Sequence, residues 1–164
     1  MSDAAGAALV LEGRAALAAA LQSAAEAAQR ELLLLCFDFD RGLYGSEGFA
    51  DAVKRLALSG ERARIRVLIN QPKAAMRGAH RLVELGRRLP SRIEFRELDE
   101  EQQIAQRGDW LIADQRRLVE RSAPDALVAR ALDDAPLAAQ ARARAFGELW
   151  DRSPGCAEFR VLGL

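Results

Sequence analysis

The chain has 164 residues, 50% of them hydrophobic and 29% charged, which suits one soluble domain with a sizeable core. Basic and acidic residues balance at 24 each, so no global charge excess draws the protein to nucleic acid or to an anionic membrane. Cys36 and Cys156 lack the spacing of a disulfide framework or a zinc motif and fit a reducing compartment. No stretch has the build of a signal peptide or the length of a membrane-spanning helix, so a cytoplasmic location is expected.

Taken in chain order, "ALVLEG" (Ala8 to Gly13) reads as a short strand ending in a turn. Residues Arg14 to Arg30 have high helix propensity and an Ala/Leu face at helical spacing. "ELLLLCFDF" (Glu31 to Phe39) is a continuous apolar run without alternation until Asp38, the pattern of a strand buried on both faces. A glycine-rich break, "DRGLYGSEG", precedes a helix capped by Ser46 and ended by Gly60. "RIRVLIN" (Arg64 to Asn70) is a second buried strand, and Gly78 to Pro90 a helix stopped by its proline. "SRIEFREL" (Ser91 to Leu98) is a third, more exposed strand, with Ile93 and Phe95 on one face.

The order then changes. "DWLIAD" and "RRLVER" are two short strands joined at Asp114, Gln115 and Arg116. Asp125 to Leu132 is a further strand candidate. The last helix has Asp133 or Asp134 as its cap and Pro136 in its first turn. The tail "AEFRVLGL" is an edge-strand candidate. Strands alternating with helices predict parallel βαβ units, hence an α/β fold with a mixed, mainly parallel sheet flanked by helices.

This order of elements resembles one half of the phospholipase D superfamily. The closing helix matches too, with Phe146 and Trp150 in the Phe-x-x-x-Trp pattern. The family's hairpin carries the motif His-x-Lys-x4-Asp. Placing Asp114 on the motif's aspartate puts Arg107 at the nucleophilic histidine and Asp109 at the phosphate-binding lysine. The downstream Gly-Ser-x-Asn falls on Arg121 to Pro124, so Ser122 matches and Pro124 replaces the asparagine.

The resemblance implies nucleophilic catalysis in the family, with imidazole attacking phosphorus while lysine and asparagine hold the phosphate oxygens. Arg107 has no accessible lone pair at neutral pH and is no nucleophile. Asp109 would set a negative charge beside the substrate phosphate, costing on the order of 4 kcal/mol at about 4 Å and an effective dielectric near 20. Asp114 is the kind of residue a tight turn uses for backbone hydrogen bonds. The resemblance therefore implies a degenerate domain, with no catalytic residue and no cofactor, that binds or assembles. A further analogy suggests an accessory role beside an acetyltransferase. Because the family packs two halves together, a homodimer with its hairpins near the interface is expected.

Other candidates are weighed against plainer roles. His80, the single histidine, is either a helical-surface residue or a contributor to a rearranged phosphodiesterase or phosphatidyltransferase site. Asp38 and Asp40 form either a pocket rim with weak affinity for a hard cation or a polar strand end; no metal site is expected. Arg107, Arg116 and Arg117 are either solvated or present planar donors to a phosphate or an acidic partner. Without interleaved aromatic residues, a nucleic-acid interface is not expected.

Overall fold

The computed structural model describes residues 7–75 and 80–156. A seven-stranded sheet runs β1 (Leu9–Glu12), β7 (Val128–Leu132), β6 (Arg117–Arg121), β5 (Asp109–Ala113), β2 (Glu31–Cys36), β3 (Arg64–Ile69), β4 (Ile93–Glu97). Helices α1 (Arg14–Ala27), α3 (Glu47–Ala57) and α5 (His80–Arg88) cover one face, and α7 (Pro136–Asp151) covers the other. The short helices α2 (Arg41–Tyr44), α4 (Pro72–Ala75) and α6 (Glu100–Ala105) lie in the connections.

The apolar run of β2 does what its pattern requires. Leu32, Leu34 and Cys36 enter the core beneath α1 and α3, while Leu33 and Leu35 enter the core beneath α7. Both tryptophans belong to the second core, and the rings of Phe146 and Trp150 stack with centroids 5.8 Å apart. Ser46 caps α3, its hydroxyl accepting from the amide of Phe49 at 3.0 Å.

The expectation of a mainly parallel sheet is corrected. Among the described residues only β2–β3 and β3–β4 pair in parallel, whereas β1–β7, β2–β5, β5–β6 and β6–β7 are antiparallel. A parallel neighbour needs a crossover long enough to return the chain, and a hairpin does not supply one. β1 does run in the direction of β2 across α1, but β5, β6 and β7 are inserted between them.

Element ends differ as well. β7 starts three residues later than Asp125. α7 has no side-chain cap: Ala135 holds the N-cap position, and Asp134 pairs with Arg116. The tail expected to form an edge strand lies outside the described residues, beyond an antiparallel bridge of Gly155 to Arg96.

Candidate functional site

Strand alternation aims Asp109, Leu111 and Ala113 at the α1 and α3 face and Trp110 and Ile112 at α7. The hairpin register sets Asp109 opposite Arg121. Their side chains, 3% and 4% exposed, form an ion pair in which Arg121 Nε lies 3.0 Å from Asp109 Oδ1. Tyr44, from α2, donates its hydroxyl to the other carboxylate oxygen, and the backbone of Phe37 adds a further bond. Arg121 also donates to the carbonyl of Pro124 at 3.1 Å, so the residue at the family's asparagine position anchors this arginine.

Burial pushes the Asp109 carboxyl above the usual carboxylate range, against the opposing pull of Arg121, Tyr44 and Phe37. The Cys36 thiol behind it is raised well above its ordinary value, by burial first and by the charge of Asp109 second. Tyr44 is raised for the same two reasons.

The structure places Asp38 and Asp40 at this same end of the sheet. Asp40 caps α2, accepting from the amide of Gly42 at 2.8 Å, and pairs with Arg14. Against its partial burial, those two partners hold its carboxyl below the ordinary value. Asp38 goes the other way, raised by burial and by Asp40. Three carboxylates therefore share one neighbourhood with two guanidinium groups, Arg14 and Arg121. Among the described residues no group of three or more His, Cys, Asp or Glu side chains is arranged to hold a metal ion.

Other motif positions are dispersed. Arg107 is exposed just before β5, its guanidinium 5.0 Å from the Phe37 ring centre. Ser122 is exposed just after β6. Asp114 stands at the far end of the hairpin, roughly 17 Å of extended strand from Asp109. There Asp114 and Gln115 take φ of 55° and 53°, a left-handed pair that asparagine and aspartate tolerate better than most residues. The Asp114 carboxylate does not close its own turn. It accepts from the amides of Gln29, Arg30 and Glu31 at 2.8, 2.8 and 2.9 Å. Those three bonds also explain why α1 stops at Ala27 and not at Arg30.

Arg116 and Arg117 flank Asp114 and are separated from Arg107 by the length of the hairpin. His80 opens α5, and the reading of its side chain as a site contributor lies outside the described residues. Sequence reasoning missed Arg121, Tyr44 and Arg14 as partners of the carboxylates. The Arg121 pairing had a signal, since a turn at Asp114 to Arg116 implies the register that sets it against Asp109. Tyr44 had none.

Residues 13–162 match the profile of a family described as "Domain of unknown function (DUF7931)", and the chain belongs to that family. No curated protein matches it in sequence. Among solved structures it is similar to Nuc from Salmonella typhimurium, a phospholipase D family member, at TM-score 0.64 and 13% identity, covering 92% of this chain and 97% of that one. It is similar to NucT from Helicobacter pylori at TM-score 0.64 and 11% identity, covering 92% and 99%. TrmBL2, an archaeal chromatin protein, aligns at TM-score 0.64 and 17% identity over 91% of this chain, which spans only 54% of TrmBL2. At these identities the likeness is one of fold: an α/β half-domain of phospholipase D type.

Proposed function

We propose that this member of the DUF7931 family is a catalytically silent phospholipase D-like domain that works as a binding or assembly module. One observation carries the reading: the residue at the motif's lysine position, Asp109, is buried and closed off by Arg121 and Tyr44. A phosphate oxygen reaching that position would meet a carboxylate, and the neighbouring guanidinium is already occupied. At the histidine position, Arg107 offers no nucleophile.

The purified protein is expected to leave bis-p-nitrophenyl phosphate and phosphatidylcholine unhydrolysed above background. Turnover that disappears in His80→Ala would overturn the proposal in favour of a rearranged phosphodiesterase or phosphatidyltransferase. As a module, the domain is expected to form a homodimer with its hairpin near the interface and to assist an acetyltransferase. A constant mass near 17.9 kDa across a dilution series in light scattering would refute the dimer.

A further inference from the structure

At the turn end of the hairpin, away from the Asp109 cluster, a cleft of about 580 Å³ opens between the end of α1, α3 and the start of β6. Four arginines line it: Arg30 from the α1–β2 connection, Arg55 from α3, and Arg116 and Arg117 from the hairpin. Two are engaged. Arg55 donates to the carbonyls of Ala25 and Glu26 in the last turn of α1 and of its C-cap Ala28, and so offsets the negative end of that helix. Arg116 pairs with Asp134. The guanidinium groups of Arg30 and Arg117 have no carboxylate partner among the described residues.

Asp114 and Glu26 are the two carboxylates in the cleft wall. Neither neutralises the free pair. Asp114 spends its oxygens on the three amides of Gln29 to Glu31, and Glu26 accepts from Gln22 at 3.2 Å.

We infer that this cleft binds an acidic peptide segment of a partner protein, held chiefly by Arg30 and Arg117. The backbone decides between anions. A compact phosphate is best held by a nest of consecutive amides or by a helix N-terminus. The nest present here, Gln29 to Glu31, already holds the Asp114 carboxylate, and the helix end facing the cleft is a C-terminus. Recognition is left to separate side-chain forks, which match the separate carboxylates of an extended chain. A nucleic-acid backbone is the poorer fit, since the whole chain carries no net charge. The inference rests on the binding-module reading and gives that module a partner chemistry.

Fluorescence anisotropy of labelled hexaglutamate against the full chain at low ionic strength tests it, with hexaglutamine as the neutral control. Saturable binding is expected for hexaglutamate alone, weakening as salt rises. The R30Q/R117Q double variant is expected to bind about tenfold more weakly, as for two lost exposed ion pairs. R107Q, at the other end of the hairpin, is expected to leave affinity unchanged. Melting temperature should not move in the double variant, since neither guanidinium has a carboxylate partner among the described residues; if it falls, R117Q alone is read. Absence of saturable binding, or binding indifferent to Arg30 and Arg117, overturns the inference. So does tighter binding of duplex DNA or pyrophosphate through the same arginines, which would assign the cleft to phosphates. Hydrolytic activity would refute catalytic silence and leave this result untouched, so the two failures are separable.

Discussion

Asp109 and Arg121 are paired residues of neighbouring strands whose charges are buried together, 3.0 Å apart, in the face of the sheet beneath α1. Burial raises the carboxyl above its ordinary range even with a guanidinium in contact, so desolvation of the carboxylate outweighs the pull of Arg121 on it. Such a buried pair is a weak source of stability.

That imbalance sets the first prediction. Asp109→Asn strands a buried guanidinium and is expected to lower stability by about 3–5 kcal/mol. The apolar combination Asp109→Leu, Arg121→Met and Tyr44→Phe leaves no stranded charge or hydroxyl. It is expected to recover most of that loss in urea unfolding. A triple variant as weak as Asp109→Asn would show that the ion pair itself is stabilising.

Asp114 is predicted to matter more than an ordinary turn residue. Asp114→Ala removes three charge-assisted bonds from the start of β2 and the left-handed tolerance of the turn. A loss of about 2–3 kcal/mol is expected. Asp114→Asn keeps the turn preference and one acceptor, and should fall between wild type and alanine in thermal melts. Equal melting of all three proteins would show that the Asp114 bonds to Gln29, Arg30 and Glu31 do not stabilise the fold.

Gly108 enters β5 where the β6 backbone crowds it: a Cβ there would lie 2.4 Å from the carbonyl oxygen of Arg121. Gly108→Ala is expected to cost about 1–3 kcal/mol through forced backbone displacement. Amide exchange of Asp109 to Ala113 should accelerate with it, and unchanged protection would contradict the close approach.

The thiol of Cys36 is fully buried and its ionisation is disfavoured by burial and by Asp109. In the native protein it is predicted to resist 5,5′-dithiobis(2-nitrobenzoate) near pH 8, since the thiolate is the reacting form. Labelling should proceed at the rate of unfolding. Rapid modification of the native Cys36 would show the core behind Asp109 to be open.

The local elements were legible in the sequence. The unbroken run Leu32 to Cys36 implied burial on both faces, Ser46 stood where a cap belongs, and the turn at Asp114 followed from its residue types. That Arg107 and Asp109 are neither histidine nor lysine was equally plain from residue identity. These are properties of short windows, where periodicity, propensity and side-chain chemistry act within a few residues. Tertiary structure alone decided the rest. Inserting β5, β6 and β7 between β1 and β2 made most pairings antiparallel, although the early elements alternate like a parallel fold. Tyr44 reaches Asp109 across 65 residues, and Asp114 reaches Gln29 across 85. No local pattern encodes such partners. They meet because the order of strands brings distant segments together at both ends of the hairpin, where each carboxylate takes the donors that the packing supplies.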